Sequence, residues 1–449
     1  MSAPSLGRIL MISTHGYVAA EPEFGKPDTG GQVVYVLELS KCLGRMGYEV
    51  DVLTRQVEDQ PAVERIDERV TLRRFPCGGR EFIPKETLCD SIPEWVEGVS
   101  RWLRRESRPV TLINSHYWDA GLAGQALATR FEVPHFHTPH SIGAWKRDNM
   151  DGDPAELETK YNFKQRIREE KVVYDECDAL IATTPAQRKL LLASEYDASP
   201  EKICVIPPGY DDRRFFPVSR ATRMTLKHEL NLEGKIVLAL GRMAKNKGYD
   251  LLLQAMPVVF ERIPDCRLML AVGSSEPSPG EVAQIDELKR LAATMGIADR
   301  VLFHDYVSDD QLPDCYRAAD LFALCSRYEP FGMTAVEAMA CGTPTVVTTE
   351  GGLWEQTVWG LDAVFANPFD PPAFGHAIAA VLQHEGVAAQ LAKHGSQKAR
   401  ARFTWTGIAH QLLCQLQSRH VTAGDAPYDW NQQVEPATEV ETWSGISSL

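Results

Sequence analysis

No stretch of the 449 residues approaches about eighteen consecutive apolar positions, which excludes a membrane-spanning helix. No block of about five like charges occurs, and Asp plus Glu outnumber Lys plus Arg by 61 to 47, for a net charge of -14. That balance argues against a nucleic-acid binder. The ten cysteines include no C-x-x-C pair and no histidine cluster at zinc spacing, so neither a zinc module nor a disulfide framework is expected, and the thiols read as reduced, cytosolic ones. The opening run "MSAPSLGRILMISTHG" has one short apolar segment and no small-residue cleavage site, so export is not expected. The glycine pair in "PDTGGQ" lacks the G-x-G-x-x-G spacing, which argues against a dinucleotide-dependent oxidoreductase.

What is present is ordinary globular composition, 44% hydrophobic and 24% charged, with enough length for two or three cores. Short β-branched runs, "RILMIS", "YEVDVLT", "VTLRRF", "TLINSH", "VPHFHT", "ALIATT" and "KICVIPP", alternate with amphipathic helical stretches. This is the pattern of parallel strands joined by crossover helices. Around "PPGYDDRRFFPVSRATR" the pattern breaks into proline, glycine and charge, and a second series begins: "KIVLALG", "RLMLAV", "RVLFHDYV", "LFALCS", "PTVVTT" and "DAVFA". Two Rossmann-like, doubly wound domains facing a cleft are expected, one over 1–215 and one over 216–402. A helix over 403–425 is expected to pack back on the first domain, followed by a polar, acidic tail over 426–449.

Chemistry is then expected in loops beyond the carboxyl ends of the strands. In "SRYEPFGMTAVEAMACGTPTVVTTEGG", Glu329 falls in a loop and Glu337 early in a helix starting near Gly332. The amides of Gly332 to Ala335 would point out of that helix start and favour an anion. A carboxylate cannot bind a diphosphate, so the two glutamates suit sugar and ribose hydroxyls. "LALGRMAKNKG" places Arg242 and Lys247 in the first loop of the second domain, where two cations could stabilise a leaving diphosphate without a metal. Asp151-Gly152-Asp153 could suggest a manganese ligand, but "DGDPAELE" reads as an Asp153 N-cap, Pro154 at the first helical position and Glu156 completing a capping box. His135 and His137 alternate in a strand with no third ligand in view and read as structural.

The string "EPFGMTAVEAMACGTPTV" resembles the paired-glutamate motif of retaining family-4 glycosyltransferases of the glycosyltransferase-B fold. "DTGGQVVYVLEL", "FIPKETL", "SHYWDAGLAG", "TPHSIGAWK" and "YNFKQRI" are similar to the sucrose-phosphate and mannosylfructose-phosphate synthase subgroup, nearer to the latter. The resemblance implies donor contacts from Gly31, Arg242, Lys247, Glu329, Phe331, Gly332, Met333, Thr334 and Glu337. It implies an acceptor set of Gly30, Gln32, Lys85, Tyr117, Asp119, Ser141, Lys146 and Arg166, with Lys85, Lys146 and Arg166 around a phosphate. His140, Arg242, Lys247 and Glu329 would be the catalytic group. Two departures stand out: Gln165-Arg166 replaces a pair of arginines, and Leu353-Trp354 replaces the proline after Gly351-Gly352.

The implied reaction is transfer of mannose from GDP-mannose to fructose 6-phosphate, or of glucose from UDP-glucose. No cofactor is required, a divalent cation being at most non-essential, and a separate sugar phosphatase is an expected partner. A lipid acceptor would need a basic amphipathic surface such as "SRWLRRESR", and a non-catalytic binder of the periplasmic type would need an export signal.

Overall fold

Runs of aliphatic residues enclosed on both faces build the strands. Arg8–Ile12, Leu321–Leu324 and Thr345–Thr348 are buried along their whole length, as parallel strands covered by helices must be. The computed structural model describes residues 5–21, 30–150, 152–274, 276–304 and 306–420. The tail 426–449, Asp151 and the residues immediately before Gly30 lie outside the described residues.

The first sheet comprises β1 (Arg8–Ile12), β2 (Glu49–Arg55), β3 (Val63–Asp67), β4 (Val70–Phe75), β5 (Leu112–His116), β6 (His135–Thr138), β7 (Ala179–Ala182) and β8 (Ile203–Val205). Their order is β3-β4-β2-β1-β5-β6-β7-β8, parallel except for β3. The sequence pattern misses β3, a half-exposed edge strand that pairs antiparallel with β4 and slips register between Arg65 and Asp67. The second sheet comprises β9 (Lys235–Gly241), β10 (Cys266–Val272), β11 (Val301–His304), β12 (Leu321–Leu324), β13 (Thr345–Thr348) and β14 (Val364–Ala366), ordered β11-β10-β9-β12-β13-β14 and parallel throughout. In each sheet the strand order reverses beside the first strand, between β1 and β5 and between β9 and β12. Such switch points open the crevices where ligands sit.

The chain passes between domains twice, and the two passages pair with each other. The Tyr210 amide donates to the Phe403 carbonyl (2.7 Å) and the Trp405 amide to the Tyr210 carbonyl (3.2 Å). The helix Trp405–His420 then lies against the helix Gly31–Arg45, with Trp405, Ile408, Ala409, Leu412 and Leu416 joining the core that holds Val33, Val36, Leu39 and Phe136. The three- and four-residue spacing of those side chains makes one apolar stripe. The last helix is therefore part of the first domain's core.

Replacing Trp405 by Ala should remove the first anchor of that helix. A loss of about 3 kcal/mol in urea unfolding of the first domain is expected, measured by circular dichroism.

Candidate active site

On the first domain, the site begins where β1, β5 and β6 end side by side. β6 leads into a tight turn in which the Ser141 amide donates to the Pro139 carbonyl (2.7 Å), with His140 at its centre at φ +57°. Tyr117, after β5, has φ +76°. Left-handed backbone is strained for both side chains, and such strain persists only where surrounding contacts fix it. For His140 the contacts are visible: its Nε2 lies 3.0 Å from His116 Nδ1, and its ring meets the edge of Tyr35. Burial pushes His140 down to about 3 and His116 well below its ordinary range, so both rings are neutral at physiological pH.

Arg166 is 3% exposed and clamps the exit of the turn. Its Nε pairs with Glu170 (2.7 Å), one Nη donates to the Tyr117 hydroxyl (2.9 Å), and the other donates to the Ser141 carbonyl (2.9 Å) and hydroxyl (3.3 Å). Glu170 also accepts from the Gly143 amide and from the Tyr196 hydroxyl, which itself receives the Ala144 amide. Tyr117, Ser141 and Arg166 thus form one bonded set. Lys85 lies beside Glu86 (3.5 Å), and the Lys146 ammonium sits over the Tyr161 ring (4.3 Å). Gln32 donates to the Ser13 hydroxyl and the His116 carbonyl.

One acceptor-side expectation is corrected. Asp119 is wholly buried and cannot line a pocket; it accepts from the Thr14 hydroxyl (2.7 Å) and lies 3.0 Å from His15 Nδ1. The helix Trp118–Phe131 turns its first carboxylate inward, where it orients His15 against Tyr117 at 4.7 Å between ring centroids. His15 escaped the sequence reading, although "STHG" directly follows a strand and carried the signal.

On the second domain, Glu329 is 9% exposed, and its carboxylate pairs with Lys247 Nζ at 2.6 Å and accepts from the Ser326 hydroxyl at 3.2 Å. Its backbone is held on both sides, amide to the Glu350 carbonyl (2.9 Å) and carbonyl from the Gly352 amide (3.2 Å). A Cβ on Gly351 would lie 2.5 Å from the Glu329 carbonyl oxygen, so this close approach requires glycine. Arg242 is exposed, and its carbonyl accepts from Tyr249. Gly332 precedes the helix Met333–Ala340 at φ +103°. The Ala335 and Val336 amides both close on the Gly332 carbonyl, so the Ala335 amide is not available at the helix mouth as the sequence suggested. Met333 and Thr334 hold the first two amides there. Phe331 is also corrected: its ring is buried against Phe403, 5.5 Å between centroids, and does not face the cleft.

Two interdomain cavities join these parts. One, of about 860 Å³, is lined by His140, Ser141 and Trp145 from the first domain and by Tyr328, Glu329 and Gly352 from the second. The other, of about 410 Å³, places Gly31 opposite Met333 and Glu337, with Arg214 at its side. Glu337 accepts from the Tyr316 hydroxyl (2.8 Å), and burial pushes its carboxyl up to about 7, against the lowering effects of Tyr316 and Arg214. Among the described residues no group of three or more His, Cys, Asp or Glu side chains is arranged to hold a metal. His135 and His137 both meet the Ser115 hydroxyl, at 2.7 and 2.8 Å, and Asp153 caps the helix Pro154–Tyr161 by accepting the Ala155 and Glu156 amides.

Two facing parallel-sheet domains, with carboxylate and lysine converging at the strand ends between them, define the architecture of glycosyltransferase-B enzymes. Residues 29–214 match the family described as Glycosyltransferase Family 4 and residues 222–401 match Glycosyl transferases group 1, and the chain belongs to this family of hexosyltransferases. A mannosylfructose-phosphate synthase of Agrobacterium fabrum (strain C58) is 51% identical over 427 residues, 94% of this chain and 94% of that protein. A D-inositol 3-phosphate glycosyltransferase of Xylanimonas cellulosilytica is 35% identical over 415 residues, 90% of this chain and 95% of the relative. Among solved structures, a sucrose-phosphate synthase from Thermosynechococcus elongatus superimposes with a TM-score of 0.77 at 29% identity, over 92% of this chain and 98% of that one.

Because the folded-state value of Glu337 is raised, its contribution to stability is fully present below its ordinary value of 4.5 and is lost as pH rises through about 7. Glu337→Gln should therefore raise the melting temperature at pH 8, by an amount corresponding to roughly 1–3 kcal/mol, and leave it nearly unchanged at pH 5. Differential scanning calorimetry at the two pH values checks the sign.

Proposed function

We propose that the chain is a retaining mannosyltransferase that moves mannose from GDP-mannose to fructose 6-phosphate, giving mannosylfructose phosphate. The observation that carries this reading is the 51% identity to a mannosylfructose-phosphate synthase over 94% of the chain, a length that takes in both domains. Glu329 would accept hydrogen bonds from the donor sugar and Glu337 from the ribose diol. Lys247 and Arg242 would receive the diphosphate, with the Gly31, Met333 and Thr334 amides beside it. The acceptor sugar would rest on Gly30 and Gln32 and its phosphate near Ser141, Lys85 and Lys146, with Arg166, buried and bonded to Glu170, Tyr117 and Ser141, holding the turn beside it and adding positive charge.

In the reaction, the bond between the anomeric carbon and the diphosphate oxygen breaks while the acceptor hydroxyl attacks from the same face. Its proton passes to the departing diphosphate. Lys247, held by Glu329, and Arg242 would stabilise the developing charge, so the proposed reaction would need no metal and a divalent ion would be at most an accessory. The His140 carbonyl and ring, held by the strained turn, would stand beside the anomeric carbon. Ten free cysteines support a reducing cytosol as the site of action. Since the product keeps its phosphate, a separate phosphatase would act next.

The second reading is sucrose-phosphate synthesis from UDP-glucose, favoured by the sucrose-phosphate synthase fold match. A lipid acceptor finds less support, because Trp102 of "SRWLRRESR" lies 4.8 Å from the guanidinium groups of both Arg8 and Arg73 and is engaged within the first domain.

Fructose 6-phosphate incubated with GDP-mannose should give mannosylfructose phosphate, identified by mass and NMR. Turnover with UDP-glucose alone would overturn the mannosyl assignment. Free fructose should be used at least about 100-fold less efficiently in kcat/KM, given a charge-assisted phosphate site. In Gly31→Val, no described side chain or backbone atom lies within 4 Å of the new Cβ, so the melting temperature should hold while transfer falls at least about 100-fold. Wild-type rates in that variant would remove Gly31 from the donor site.

A further inference from the structure

We infer that Trp145 and Tyr328 are a pair of positioning residues whose stacking across the cleft sets the acceptor-side turn against Glu329 for transfer. The two rings belong to opposite domains, yet lie 3.9 Å apart between centroids at an interplanar angle of 22°. Trp145 stands in the helix Gly143–Asp148, four residues after Ser141 and five after His140. Tyr328 directly precedes Glu329. Both rings line the 860 Å³ cavity with His140 and Glu329.

Each partner is mounted rigidly within its own domain. Beneath Trp145, the Gly143 and Ala144 amides are fixed by Glu170 and the Tyr196 hydroxyl, and Glu170 is tied through Arg166 to Ser141 and Tyr117. Around Tyr328, the Asn246 side chain donates to the Tyr328 carbonyl (3.3 Å), and the Arg327 amide donates to the Asn246 carbonyl (2.8 Å). The Arg327 guanidinium holds Asp250 with two bonds, of 2.7 and 2.6 Å. Two rigid mounts joined by one ring contact transmit displacement: if the domains separate by a few ångströms, the stack is lost and Glu329 moves away from His140.

The other contacts across this part of the cleft are less able to do this. Lys189 pairs with Glu355 at 2.9 Å, but the lysine is largely in solvent, where such pairs contribute little. Gly352 meets Thr184 closely enough that an added Cβ would lie 2.2 Å from the threonine methyl, which limits approach but supplies no directional attraction. Stacked aromatic rings supply both attraction and a fixed geometry. Ordering the two loops in this way before reaction reduces the barrier through alignment and keeps water from the donor sugar.

This inference rests on the assignment of Glu329 to the donor and of the His140–Ser141 turn to the acceptor. The test is a double-mutant cycle of Trp145→Ala and Tyr328→Ala, with Trp145→Phe and Tyr328→Phe as conservative replacements. Transfer from GDP-mannose to fructose 6-phosphate and release of free mannose are measured together. Each Ala variant should lower kcat about tenfold with a smaller change in KM, and raise the share of donor lost to water severalfold. The double variant should be within about twofold of the weaker single one, and the Phe variants should recover most of the rate. Multiplicative losses, or an unchanged hydrolysed share, would overturn the proposal. Small-angle X-ray scattering reads the same contact without reference to substrate: the Ala variants should show a larger radius of gyration than wild type, and an identical radius would overturn it. If the wild-type chain transfers from neither donor while the radius changes as expected, it is the proposed reaction that fails and the stack that stands.

Discussion

The pairing of Lys247 with Glu329 at 2.6 Å is the contact on which the second domain's half of the site depends. Each group comes from a different loop, one after β9 and one after β12, and each is mostly removed from water. Burying either charge alone would be costly, whereas together they satisfy one another and fix both loops. Glu329 is then oriented by Ser326 and by backbone bonds on both sides, leaving the carboxylate little freedom. A diphosphate arriving at Lys247 would share or displace this bond. Under the proposed reaction, the same ion pair would link the position of the leaving group to the position of the carboxylate that meets the sugar.

The first domain solves the corresponding problem with strain. A turn with His140 at φ +57° would relax if unsupported. It is held at one end by the neutral His116–His140 contact and at the other by Arg166, whose guanidinium spans Ser141, Tyr117 and Glu170. An arginine suits this position because its planar fork can direct several bonds at once. Arg166 therefore has a role in the protein before any phosphate is considered, and any phosphate it receives is coupled directly to the shape of the turn.

Much of the architecture was legible in the sequence because strands covered by helices are rich in β-branched and aliphatic residues, and thirteen of the fourteen strands among the described residues fall on such short runs. The exception, β3, is half-exposed and alternates with charge, so its pairing is decided by its neighbour β4 and not by its own composition. Glu329, Glu337, Arg242 and Lys247 could be singled out because the strings that carry them, "EPFGMTAVEAM" and "GRMAKNKG", resemble family motifs. The inward turn of Asp119 and Phe331 could not, since both stand in loop-to-helix segments where one rotation about the axis decides between cleft and core. His15 with Asp119, and Trp145 with Tyr328, are separated by more than a hundred residues. No local spacing encodes such contacts; they exist only once the two sheets have placed their strand ends together.

The glycines before the first helix show how structure can separate two reasons for one residue. Gly30 has φ -161°, an extended conformation open to any residue, and a Cβ at Gly30 or Gly31 meets nothing within 4 Å among the described residues. Among the described residues, neither backbone strain nor packing requires glycine there, in contrast to Gly351, where the Glu329 carbonyl leaves no room. Yet Gly31 faces Met333 and Glu337 across the 410 Å³ cavity, and Gly30 precedes Gln32, whose side chain reaches the ends of β1 and β5. Under the proposed reaction, the bare backbone at this point would leave room for the two substrates that must come within bonding distance there.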